Sequence, residues 1–160
     1  MTELIKQFLD ESIQLELNLS DLYQLFYAKF PEDSEFWWQL SLEEVNHAAL
    51  IRSINDIFLP ENILPHGVIQ TQNSELHQLN SSVRERISRY KTDTPSRYEA
   101  FFYAYELENS AGEAHYESFM NEIPGSNVEK IFQKLNGDDK NHAARIEHYM
   151  KLNNIVNTEA

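Results

Sequence analysis

Two short segments, Glu43-Glu44-Val45-Asn46-His47-Ala48-Ala49 and Asp138-Asp139-Lys140-Asn141-His142-Ala143-Ala144, carry the residue types best suited to chemistry in this chain. Each places a carboxylate and, three residues on, an imidazole: Glu44 with His47, and Asp139 with His142. On a helix these positions are neighbours on one face, so an oxygen and a nitrogen can point at one place, as a divalent cation requires. Helical bundles that hold two such ions in their core combine two of these pairs with one carboxylate from each of two further helices. The chain must therefore supply four helices and two more buried acids.

The apolar periodicity supplies the helices. Leu9, Glu16, Leu19, Tyr23, Phe26 and Phe30 recur at helical steps, which predicts a first helix over about 3–30. Glu16 is the one acid on that stripe. Pro31 and the acids after it end this helix and begin a second over about 33–58, with Trp37, Leu40, Glu44, His47, Ile51, Ile54 and Phe58 inward. Residues 59–95 read as a long crossover, broken by Pro60 and Pro65, with a helix of its own over about 74–91 (Leu76, Leu79, Val83, Ile87, Tyr90). Ser96-Arg97-Tyr98-Glu99 has the form of a capping box and opens a helix over about 96–122. Its face holds Phe101, Tyr105, Glu108, Ala111, Gly112, His115 and Phe119. A second capping box, Ser126 to Glu129, opens the last helix over about 126–153, with Phe132, Leu135, Asp139, His142, Ile146 and Tyr149 inward. Short links join the first helix to the second and the third long helix to the fourth, and short links make antiparallel neighbours. The expected fold is all-α, a single domain: a four-helix bundle of two antiparallel hairpins joined by a crossover with an extra helix.

The hairpins repeat. Trp37 to Ile51 aligns without a gap with Phe132 to Ile146, and Asn-His-Ala-Ala is common to both. The first helices align as well, but that register sets Glu16 opposite Asn109, next to Glu108. Glu108 lies at the right height along its hairpin; Glu106 and Glu113 are rivals for the same role. The expected metal ligands are Glu16, Glu44, His47, Glu108, Asp139 and His142, with Tyr23 and Tyr105 hydrogen-bonding ligand carboxylates. Four buried carboxylates repel unless neutralised, and two divalent ions balance their charge. Oxygen and imidazole donors without thiolate suit iron or manganese, and zinc can enter. Glu43 reads as solvated, Asp138 as a substitute for Asp139, and His115 as a hydrogen-bonded core histidine. His66, His77 and His148 carry no signal.

Composition narrows the class. The 160 residues include no cysteine, which excludes disulfides, thiolate metal sites and thiol nucleophiles. A formal net charge of −13 argues against nucleic acid or an anionic membrane as partner. No apolar run reaches the ~18 residues of a membrane span, and the start lacks the pattern of a signal peptide, so the expected location is cytoplasmic. Aromatics left on outer helix faces are compatible with a homodimer.

From Glu16 to His142 the pattern resembles the rubrerythrin branch of the ferritin-like superfamily. The motifs that carry the resemblance are Glu16 with Tyr23 seven residues on, Glu44-x-x-His47, a third-helix glutamate, and Asp139-x-x-His142. The resemblance implies two iron ions that react with peroxide or dioxygen, as an oxidoreductase or a ferroxidase. The chain departs from the family in using aspartate in the second motif and in lacking the cysteine-ligated rubredoxin domain, which implies an external electron donor. The competing expectation is a ferritin-like bundle whose site is degenerate or empty, acting as a binding or structural module.

Overall fold

The computed structural model describes the backbone of residues 3–57, 66–120 and 127–157, and within them the side chains of all but 5, 54–72 and 111–129. Among the described residues all regular structure is helical: α1 (Glu3–Lys29), a 3-10 turn at Pro31–Asp33, α2 (Ser34–Ile57), α3 (His66–Thr92), α4 (Arg97–Met120) and α5 (Asn127–Leu152). No described helix is long and apolar enough to cross a membrane. The expected inward residues Ile54, Phe58, Ala111, Gly112, His115 and Phe119, the rival ligand Glu113, and the second capping box lie outside the described side chains.

The contacts give the helix directions. Tyr27 packs on Trp38, and the Ser20 hydroxyl donates to the Ser41 carbonyl at 2.9 Å, so α1 and α2 run antiparallel. Phe101 stacks on Tyr149, and Glu108 lies near His142, so α4 and α5 do the same. The crossover helix α3 begins about eight residues before the sequence expectation. The polar run Gln70-Thr71-Gln72-Asn73 hides the apolar period there. It lies along α1 in the parallel sense, Asn73 bonding the Leu4 carbonyl and Tyr90 packing on Phe26.

Among the described residues the stripes read from the sequence supply most of the core, with Leu79, Tyr105 and Tyr149 only partly buried. Leu9, Leu19, Tyr23, Phe26, Trp37, Leu40, Ile51, Leu76, Val83, Phe132, Leu135 and Ile146 are buried together. Trp37 anchors one end, against Tyr23, Phe26 and Phe101. Trp38, the next residue, faces outward against Tyr27.

Two polar devices fix the ends. The capping box at α4 forms with both arms: the Ser96 N–H donates to Glu99 Oε2 at 2.8 Å, and the Glu99 N–H donates to Ser96 Oγ at 3.2 Å. Buried Asp33, in the turn between α1 and α2, accepts a two-pronged pair of bonds from Arg97 (2.7 and 2.6 Å) and one from the Tyr149 hydroxyl (2.9 Å). One carboxylate thus ties the first hairpin's turn to the start of α4 and the end of α5. Arg97 is one-third exposed, so removing it costs less than the ~3–5 kcal/mol of a fully buried pair.

Candidate metal centre

Midway along the bundle, four carboxylates and two imidazoles interrupt the apolar core. Glu16, Glu44, Glu108 and Asp139 are at most 3 % exposed, and His47 and His142 at most 4 %. Each sits on an apolar stripe because its helix turns that position inward: α1 supplies Glu16, α2 supplies Glu44 and His47, α4 supplies Glu108, and α5 supplies Asp139 and His142.

The donor atoms form two overlapping groups, Glu16–Glu44–His47–Asp139 and Glu44–Glu108–His142, within each of which they lie within 4.8 Å of one another. Glu44 belongs to both. Its Oε2 lies 3.0 Å from His47 Nδ1 and its Oε1 lies 2.9 Å from His142 Nδ1. One carboxylate therefore presents an oxygen to each half of the centre. His47 Nδ1 also lies 3.5 Å from Glu16 and 3.7 Å from Asp139, and His142 Nδ1 lies 3.5 Å from Glu108. The two rings stack at 5.3 Å with both Nδ1 atoms toward the carboxylates.

The far ring nitrogens are held as well. His142 Nε2 donates to Glu43 at 2.6 Å, and Arg145 donates to the same Glu43 oxygen at 2.6 Å. His47 Nε2 lies 3.5 Å from Asp138, which pairs with Lys134. In each case the acid just before one motif's ligand acid faces the other motif's histidine. The expectation that Glu43 is solvated is thus corrected: it is half-buried, and it braces an imidazole across the α2–α5 seam. With its proton on Nε2 and held by such a partner, a ligating imidazole turns its Nδ1 lone pair toward the carboxylate cluster, where a cation can take it. The signal was present in the sequence as an acid at the same place in both repeats.

Glu108 emerges from its rivals on the described part of α4: it is buried, whereas Glu106 and Asn109 are exposed. Asp139, not Asp138, points into the cluster. The Tyr23 hydroxyl donates a hydrogen bond to Glu108 Oε1. Tyr105 does not match its expected role, since among the described residues its hydroxyl donates to none of the cluster's carboxylates. Long side chains on a helix lean toward its N-terminus, so a tyrosine three residues before Glu108 leans away from it.

Burial and mutual repulsion shape the charges. Burial, reinforced by Glu44, pushes the Glu16 carboxyl up to about 7 despite the counteracting His47. Asp139 is raised by burial and by the charges of Glu16, Glu108 and Glu44. Burial alone would lower the imidazoles, but Glu16 and Glu44 push His47 up to about 10, and Glu108 and Glu44 push His142 up to about 12. Burial would raise Glu43 too, yet Arg145 and His142 outweigh it and hold that carboxyl below its ordinary value. Tyr23 is raised well above its ordinary value by burial and Glu108, so it stays a donor.

Three buried atoms, Glu44 Oε1, Glu108 Oε2 and His142 Nδ1, face one another without an aligned hydrogen bond. Donors that converge but do not satisfy one another fit a cation between them. The set is oxygen and imidazole, as hard or borderline divalent ions prefer. The cluster is a candidate metal site on this chemistry. No protein-family model matches this chain, and no curated protein or solved structure matches it significantly.

Proposed function

We propose that this chain is a di-metal carboxylate protein, with a ferritin-like bundle of the rubrerythrin type, whose two ions are iron and react with peroxide or dioxygen. The observation that carries the reading is Glu44, wholly buried and turned so that its two oxygens address two different histidines. A carboxylate in that setting is costly without cations, and two divalent ions match the four negative charges. Manganese or zinc fits the same donors.

Bound ferrous ions would supply two electrons, which with two protons reduce hydrogen peroxide to two waters. The chain's own residues hold the geometry. Tyr23 fixes Glu108 by its hydrogen bond, and Glu43 and Asp138 orient the histidines. The apolar stripes of α1, α2, α4 and α5 keep bulk water from the centre. Re-reduction then falls to an external electron donor, or iron itself is the consumed substrate in a ferroxidase role.

Metal analysis of protein purified without chelator, followed by ferrous loading under anaerobic conditions, tests the reading. The expected result is about two ions per chain and rapid oxidation of the loaded iron by peroxide. Absence of bound metal after loading, with a melting temperature indifferent to iron and to EDTA, overturns it.

One observation favours a second reading, a bundle of the same kind with an empty site. Glu16 and Asp139 are raised toward the protonated form, and both histidines are raised toward the charged form. Protons alone thus neutralise much of the cluster. The same iron and EDTA melting experiment separates the two.

A further inference from the structure

Two cavities approach the cluster from opposite flanks of α5. One, of about 240 Å³, lies between α2 and α5 and is lined by Glu43, Asn46, His47, Asp138, Asn141 and His142, among others. The other, of about 320 Å³, lies between α4 and α5 and is lined by Tyr105, Glu108, Asn109, Lys140, Ala143 and Ala144, with Glu147 beside them. They meet different parts of the centre. The α2–α5 cavity ends on the Nε2 edges of the imidazoles, which Glu43 and Asp138 face, and the stacked rings stand between it and the Nδ1 donors. The α4–α5 cavity ends on Glu108 itself, a cluster member whose buried Oε2 makes no hydrogen bond.

The donors are also unequally shared. Among the described residues the His47 group has four and the His142 group three, because Asp139 joins only the former. With fewer of the described donors around it, an ion at the His142 position would leave more room for a further small ligand.

We infer that the Glu44–Glu108–His142 position is the substrate-binding half of the centre, and that small oxygen-donor ligands of the peroxide class reach it through the α4–α5 cavity. This rests on the di-metal reading. Ala143 and Ala144 leave the passage its width, since neither has a side chain beyond Cβ. Lys140 sets a positive charge on its wall against the negative one of Glu147. Of the Glu16–Glu44–His47–Asp139 half, only His47 lines either of these two cavities.

Azide, a small linear anion, is the probe, followed by its absorption on the oxidised iron-loaded full chain. Ala144 is exposed on the cavity wall, so Ala144→Leu narrows the passage without entering the core. Asn109→Leu does so from the α4 side, and Asn46→Leu is the matching plug in the α2–α5 cavity. Metal content and helicity are measured for each variant. We expect Ala144→Leu and Asn109→Leu to slow azide association by about tenfold at unchanged metal content, and Asn46→Leu to leave it within about twofold. Unchanged rates in both α4–α5 variants, or slowing by Asn46→Leu alone, overturn the inference while leaving two bound ions. A chain that binds no metal fails the earlier reading instead.

Discussion

The two halves of the centre are near-copies in sequence and unequal in structure. Around His142, Glu43 is bonded at 2.6 Å and is itself held by Arg145 at 2.6 Å. Around His47, the matching acid Asp138 stands at 3.5 Å and is drawn to the exposed Lys134. The α2 residue that aligns with Arg145 is Leu50, so only one half has a guanidinium behind its brace. The halves differ again in their carboxylates: Glu44 reaches both histidines, whereas Asp139 joins only the His47 group. A repeated motif thus fixes which donors converge. Neighbours outside the repeat decide how firmly each is held.

Breaking the comparison outright requires Glu44, which both halves share. Glu44→Ala is expected to lower bound metal from about two ions per chain to under about one, because each position loses a donor at once. Metal analysis after anaerobic ferrous loading checks this. Retention of both ions would show that the halves do not depend on a common carboxylate.

The braces come next. Loss of a carboxylate behind a ligating histidine typically weakens metal binding by about 10–100-fold. Glu43→Gln is expected to fall in that range for one of the two ions, while Asp138→Asn, at its longer distance and with Lys134 competing, costs under about threefold. Stepwise metal titration followed by calorimetry separates the two. Equal losses in both variants would erase the asymmetry.

Acidity acts on both halves together. In the metal-free chain Glu16 at about 7 lies above its ordinary 4.5, and His47 at about 10 and His142 at about 12 lie above 6.5. The folded state therefore binds more protons than the unfolded state across this interval. Stability is fully present below the unfolded values and is lost as pH rises through the folded ones. The melting temperature of metal-free protein is thus expected to fall steadily from about pH 5 to about pH 9. Metal affinity should rise over the same range, because each ion must displace those protons. A metal-free melting temperature that climbs with pH would contradict the charge arrangement of the cluster.

Most of the cluster was legible because its members break a pattern. Glu16, Glu44, His47, Asp139 and His142 occupy helical positions otherwise filled by Leu, Phe, Tyr or Trp, and such positions face a core whatever stands there. The start of α4 was equally readable, since the cap of Ser96 and Glu99 is local chemistry. Glu43 was not legible from periodicity, because it stands off its helix's stripe and acts across a seam between helices; only its repeat at Asp138 marked it. No single helix's period reports that geometry. Tyr105 failed for a related reason: periodicity assigns a face, but the lean of the side chain along the helix decides what it touches. The turn carboxylate Asp33 joins Arg97 and Tyr149 from segments far apart in sequence, and such a link leaves no periodic trace.

The smallest expected effect gives the sharpest test of why the halves differ. Asp139 is one methylene shorter than Glu44 at the matching position of the repeat, and its carboxylate belongs with Glu16 and His47 rather than with Glu108 and His142. If reach alone makes the His142 half donor-poor, Asp139→Glu should supply a second shared carboxylate. The weaker of the two metal-binding steps is then expected to tighten by about threefold, less than a lost brace would cost. The added methylene must be accommodated in a packed interior, where overpacking costs about 1–3 kcal/mol, so the metal-free chain should melt at a lower temperature than the parent. Tighter binding together with lower metal-free stability is the signature of reach. Lower stability with no gain in binding would place the asymmetry in the Glu43–Arg145 brace alone.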